Sequence, residues 1–134
     1  SEFCDEDAAF VKGLFSAFAE VVFVPEDKID VVTGISGSSP AYFYLFIKGL
    51  VEAGVKRGLS YDDALSLAVN TMIGSGKMIF ENREKPLDDL ISAVCSKGGT
   101  TIEAIKVYEQ TGLSDLTEKA VDACVKRAEE LENL

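Results

Sequence analysis

The sequence predicts an all-α protein, a helical bundle of six or seven helices, on three observations. Apolar residues recur three and four apart through nearly the whole chain. Only one short β-branched and aromatic run, residues 20–24, interrupts that pattern, and Pro25 stops it before it could build a sheet. Glycines, hydroxyl residues and prolines fall between the helical stretches at the short spacings that helix-to-helix connections use.

In chain order, residues 5–19 open with Asp5-Glu6-Asp7, favourable beside the positive end of a helix dipole, and then place Phe10, Val11, Leu14, Phe15 and Phe18 on one face. After the run to Val24, helical spacing returns over residues 26–35 through Ile29, Val32 and Ile35. Ser36-Gly37-Ser38-Ser39-Pro40 reads as a break, with a capping hydroxyl followed by a proline suited to the first helical position. A long helix is expected from there to about Lys56. Its strongly polar positions, Lys48, Glu52 and Lys56, lie four apart in one narrow stripe that can pair electrostatically. Almost all its other side chains are apolar or small. A helix apolar over most of its circumference must be covered on most sides, either by a second copy of the chain, the favoured reading, or by its own neighbours.

Gly58 ends this helix, and Ser60-Tyr61-Asp62-Asp63 has the form of a capping box with Asp63 in the place of glutamate. The helix that follows contains Gly74-Ser75-Gly76, which points to close approach by another helix or to a local break. Pro86 can start a short helix carrying Leu87, Leu90, Ile91 and Val94. Another begins near Thr100 and stops at Gly112. Ser114 can cap the last, whose Leu116, Ala120, Val121, Cys124, Val125, Ala128 and Leu131 form a continuous stripe.

Composition narrows the function. The 134 residues suit a single domain, 1–134, and a net charge of −10 argues against nucleic-acid or anionic-membrane surfaces as partners. There is no histidine, and Cys4, Cys95 and Cys124 show no C-x-x-C spacing, so no metal site, disulfide framework or histidine-activated nucleophile is expected. A reducing, cytoplasmic compartment fits that cysteine usage. No signal peptide or membrane-spanning run is present, and Ser1 in place of methionine points to part of a longer chain.

Two stretches combine glycine, hydroxyls and a helix start: residues 36–40 and Cys95-Ser96-Lys97-Gly98-Gly99-Thr100-Thr101. Unpaired N–H groups at a helix N-terminus can seat a carboxylate or phosphate, and Gly98-Gly99 would let that backbone approach a ligand. The alternative is a turn whose helix end is capped by Ser96 or Thr100, with no ligand. Neither stretch is a phosphate loop, and neither follows a strand, so a nucleotide is not bound by this chain alone.

Three stretches taken together, 30–42, 53–59 and 95–102, closely resemble the C-terminal domain of pyrroline-5-carboxylate reductase. They are Asp30-Val31-Val32-Thr33-Gly34-Ile35-Ser36-Gly37-Ser38-Ser39-Pro40-Ala41-Tyr42, then Ala53-Gly54-Val55-Lys56-Arg57-Gly58-Leu59, then the 95–101 loop with Ile102. The resemblance runs from about Phe10 to Leu131. It implies an oxidoreductase that reduces 1-pyrroline-5-carboxylate to L-proline with NADPH or NADH, the last step of proline biosynthesis. It further implies that an N-terminal Rossmann domain, absent from this chain, binds most of the dinucleotide. The helical domain would form an intertwined homodimer or higher homo-oligomer, inactive by itself.

By resemblance, Ser96 and the backbone N–H groups of Gly99 and Thr100 hold the substrate carboxylate, and Thr101 is the catalytic candidate, hydrogen-bonded to the ring nitrogen. Glu84 is a further substrate-side candidate. Gly37 and Ser38 would approach the nicotinamide end of the cofactor. Lys97 stands where the family commonly has proline, and Ser39 where it commonly has glycine. Two other readings compete: a helical interaction module without catalysis, and the helical domain of another Rossmann-coupled dehydrogenase.

Overall fold

The computed structural model describes residues 4–132. Among them the chain forms seven α-helices and no strand: α1 (Asp5–Phe15), α2 (Ile29–Val32), α3 (Ser39–Val55), α4 (Tyr61–Glu81), α5 (Leu87–Val94), α6 (Thr100–Gln110) and α7 (Leu113–Glu132). A 3-10 turn (Glu26–Lys28) leads into α2, and a π turn (Thr33–Gly37) joins α2 to α3.

The N-terminal acidic cluster acts at α1 as its charge suggests. The Asp7 carboxylate accepts the backbone N–H and the thiol of Cys4, each at 3.1 Å, and these two bonds hold its carboxyl below the usual aspartate range. The helix stops at Phe15 rather than near residue 19. There the chain turns, and the Phe18 ring meets Phe15 edge-on at 5.9 Å.

The expected break at residues 36–40 is a π turn running almost directly into α3. Ser38 sits in right-handed helical backbone and makes no capping bond, so helix continues on both sides of the wider turn. This wider turn is held from outside. A Cβ at Gly34 would lie 3.2 Å from Val121 Cγ1 and 3.3 Å from Val125 Cγ2, so α7 packs directly on the backbone here. Gly34→Ala should therefore cost about 1–3 kcal/mol through overpacking. Denaturant unfolding at matched protein concentration reads this directly, and an unchanged midpoint would mean that α7 yields without cost.

Helices α3 and α4 form an antiparallel hairpin whose interior is Ile47 (9% exposed), Val51 (4%) and Ala64 (5%), backed by Leu65, Ala68 and Met72. Gly58 turns the chain in left-handed backbone, and Gly112 does the same between α6 and α7. Ser60 caps α4, accepting the Asp63 N–H at 3.1 Å, but its hydroxyl also donates to the Asp63 carboxylate at 2.6 Å. Only half of the expected reciprocal box forms, because the shorter aspartate is taken up by the hydroxyl. Ser114 lies inside the first turn of α7 instead of capping it. Leu116 N–H donates to the Gly112 carbonyl at 2.9 Å, so the glycine stands where the cap was expected.

Helix α4 runs unbroken through Gly74 and Gly76, and neither has a non-local neighbour within 4 Å of an added Cβ. Among the described residues nothing covers that face. Lys48 pairs with Glu52 at 3.7 Å along the exposed stripe of α3, a contact worth a few tenths of a kcal/mol.

Three buried apolar side chains among the described residues are too few for a chain of this size. The accessible surface is 11001 Å². A self-sufficient folded monomer of 14.4 kDa exposes about 6,800 Å². Much of the excess is apolar side chain along α3 and α4, including Phe43 (54% exposed), Tyr44 (72%), Leu45 (70%) and Ile73 (65%).

Candidate functional site

The loop from Ser96 to Gly99 is a tight turn. The Gly99 N–H donates to the Ser96 carbonyl at 2.9 Å, and Gly98 at its corner has φ +74°, a conformation that suits glycine. A Cβ at Gly99 would run into Ser96 Oγ and lie 3.1 Å from the Ser96 carbonyl oxygen, so the serine hydroxyl curls over the glycine. Gly98→Ala should cost about 1–2 kcal/mol from the left-handed backbone alone. Thermal unfolding of the variant tests this; full retention of stability would show that the turn has another route.

Helix α6 begins at Thr100 with Gly99 at its N-cap, in extended backbone, and no side chain caps it. The capped-turn alternative therefore does not hold for this helix end. The N–H groups at the start of α6 lack intrahelical partners and carry the positive end of an eleven-residue helix. Thr101 lies in that first turn with an exposed side chain, beside exposed Ser96 and Thr100 and half-buried Gly99. The turn thus carries a hydroxyl at either end and no carboxylate of its own, with Glu103 the one acidic residue in the first turn of α6. Since the Gly99 N–H is already engaged by Ser96, the Thr100 N–H is the readier of the two backbone donors. Lys97 is exposed on the same turn.

Ser38 belongs to a different cluster. The Cys124 thiol donates to Ser38 Oγ at 3.2 Å, a half-buried contact between residues 86 apart in sequence. Tyr42 stands one turn beyond Ser38 on α3, within electrostatic reach of both groups. The neighbouring Cys124 sulfur pushes the Tyr42 phenol above its ordinary value, partial desolvation adds to this, and Ser38 opposes it. An added Cβ at Gly37 would meet only Thr33 Cγ2 of the same turn, at an ordinary contact distance of 3.9 Å. Sequence reasoning placed Cys124 in an apolar stripe and missed this contact, because no local pattern signals a pairing across that separation.

The structure thus brings Ser96, Gly99, Thr100 and Thr101 together at one turn, and Ser38 together with Tyr42 and Cys124. Among the described residues no hydrogen bond links the two groups. Glu84 lies in the exposed turn between α4 and α5, next to Arg83, which pairs with Glu20 at 2.9 Å and stacks on Phe80 at 4.2 Å. It joins neither group. Among the described residues there is no cluster able to hold a metal ion, and no helix is long and apolar enough to cross a membrane.

An all-α hairpin fold with a minimal interior and broad exposed apolar faces defines a helical assembly domain. Comparison with known proteins gives the particular case. The family model for pyrroline-5-carboxylate reductase dimerisation matches residues 26–131, and the chain belongs to that family. Pyrroline-5-carboxylate reductase of Escherichia coli K12 is 40% identical over 126 residues, covering 94% of this chain and 46% of that protein. The Synechocystis protein of the same name is 41% identical over 126 residues, covering 94% of this chain and 47% of that protein.

Among solved structures, pyrroline-5-carboxylate reductase from Coxiella burnetii matches with a TM-score of 0.90 at 36% identity, covering 96% of this chain and 47% of that one. The Plasmodium falciparum pyrroline carboxylate reductase, solved with NADP bound, matches at 0.81 and 31% identity, covering 92% of this chain and 47% of that one. The chain spans about half the length of the curated relatives it matches. The family match begins at residue 26, after α1 and the 20–24 segment.

Proposed function

We propose that this chain is the dimerisation and substrate-binding part of a reductase that converts 1-pyrroline-5-carboxylate to L-proline, working with a dinucleotide-binding domain outside these 134 residues. The observation that carries the reading is the uncapped start of α6 beside the Ser96–Gly99 turn. A substrate with one carboxylate next to a reducible C=N bond needs an anion seat and, a few ångströms on, a hydroxyl facing the nitrogen. The turn offers the first in the Ser96 hydroxyl and the N–H groups of Thr100 and, by sharing, Gly99. Thr101 offers the second.

A nicotinamide dinucleotide, NADPH or NADH, supplies the hydride. This chain contains no phosphate loop to hold its diphosphate, but Gly37 and the Ser38 hydroxyl suit the approach of its nicotinamide end. As the imine carbon gains hydride its nitrogen gains a proton. In this reading Thr101 hydrogen-bonds that nitrogen throughout and relays a proton from water, since a threonine hydroxyl is too weak an acid to act alone. Fixing the carboxylate on α6 holds the ring so that the C=N carbon faces the donor. Glu84 stays a secondary candidate for the substrate side, reached only if its turn moves toward α6 or a second copy brings one near.

The homodimer buries the α3 and α4 faces, and higher assembly is compatible with what remains exposed. Three free cysteines among the described residues suit a cytoplasmic protein. The full-length protein assayed with pyrroline-5-carboxylate should oxidise NADPH or NADH in proportion to proline formed. Activity on other cyclic imines or keto acids but none on this substrate would transfer the chain to another dehydrogenase. No activity on any would favour a pure interaction module.

A further inference from the structure

The π turn, α3 and α7 meet at one place outside the Ser96–Thr101 turn. Val121, Cys124 and Val125 lie three and four apart on α7, so they share one face, and that face lies against the π turn. The two valines touch the backbone at Gly34, and Cys124 reaches the hydroxyl of Ser38 at the junction with α3. Tyr42 lies four residues after Ser38 on the same face of the helical path, near enough that Cys124 and Ser38 both act on its phenol.

We infer that Cys124 and Tyr42 are positioning residues, which fix the rotamer of the Ser38 hydroxyl and so tune how the reductase holds the nicotinamide end of its dinucleotide. The inference rests on the reading of Ser38 as a cofactor-side residue.

The physical case has two parts. A serine hydroxyl on a half-exposed turn has three rotamers of similar energy, and it presents one to a ligand only if something holds it there. The Cys124 thiol, donating to it at 3.2 Å from a packed helix, holds it, with Tyr42 beside the pair one turn along α3. A π turn inside a helical run is also a place where backbone geometry is kept only by outside packing. The contact of Gly34 with Val121 and Val125 supplies that packing next to the hydroxyl it has to orient.

Each link acts through Ser38, so the effects should not add. The test is steady-state kinetics of the full-length protein carrying Ser38→Ala, Cys124→Ala, Cys124→Ser, Tyr42→Phe and the double variant Ser38→Ala with Cys124→Ala. Cys124→Ala and Tyr42→Phe should each raise KM for the dinucleotide by about three- to tenfold, the worth of one net hydrogen bond, with KM for pyrroline-5-carboxylate unchanged. Cys124→Ser, which keeps a donor, should recover to within about twofold of the parent. The double variant should be no worse than Ser38→Ala.

If Ser38→Ala raises the dinucleotide KM and Cys124→Ala and Tyr42→Phe do not, positioning is overturned while Ser38 keeps its place. If Ser38→Ala changes nothing, both fall. A parallel rise in both KM values would mark a structural role only and would also overturn the proposal. Should Cys124→Ala fail to fold, Cys124→Ser and Tyr42→Phe decide on the same criteria.

Discussion

In light scattering at micromolar concentration the chain is expected as a dimer or larger, and Phe43→Asp is expected to shift it strongly toward monomer. Phe43 is half-exposed in this chain and lines an apolar groove of about 670 Å³ between α3 and α4, with Tyr44, Val51, Tyr61, Val69 and Met72. A groove of this lining, on a protein exposing far more surface than its mass requires, is a face awaiting cover. Loss of one buried phenylalanine is worth about 1.5–3 kcal/mol, and a symmetric interface loses it twice, so dissociation should rise at least a hundredfold. Lys48→Ala, on the exposed polar stripe, should leave assembly unaltered. A parent chain that remains monomeric at these concentrations would refute the assembly reading outright.

Thr101→Ala in the full-length protein should lower kcat by about 10²-fold or more, the usual contribution of a positioned proton-handling group. Assembly and fold should be untouched, because Thr101 is exposed and its side chain makes no hydrogen bond among the described residues. Thr101→Ser should restore most of the rate, since the hydroxyl and not the methyl group is the working part. Unchanged turnover in Thr101→Ala would remove the residue from the chemistry and return the α6 end to the role of an anion seat alone.

Particular residues show how far the sequence could be read. The helices were legible because apolar spacing, prolines and glycine stops act within a few residues of one another. Gly58 and Gly112 do turn the chain in left-handed backbone, and Ser60 does cap α4. The reading was less sure where two local rules compete. At 36–40 a hydroxyl followed by a proline looks like a fresh helix start, yet the backbone keeps its helical sense through a π turn that α7 stabilises from 80 or more positions away. Ser114 looked like a cap, but the neighbouring glycine took the role because its backbone carbonyl was already in place. At α6 the sequence offers Ser96 or Thr100 as a capping side chain, and the structure shows neither in that role, with Gly99 at the N-cap instead.

By itself the sequence determined the all-α class, the approximate helix bounds, the over-apolar α3 and the glycine-and-hydroxyl loop that leads into α6. All of these arise from interactions between residues close in the chain, whose geometry the peptide backbone fixes. Only the tertiary structure decided that Cys124 meets Ser38 beside Tyr42, that α7 lies on Gly34, and that Ile47, Val51 and Ala64 are nearly all the interior among the described residues. Those facts depend on which helix faces come together, and that is set by packing summed over the whole chain, where no single residue carries the signal.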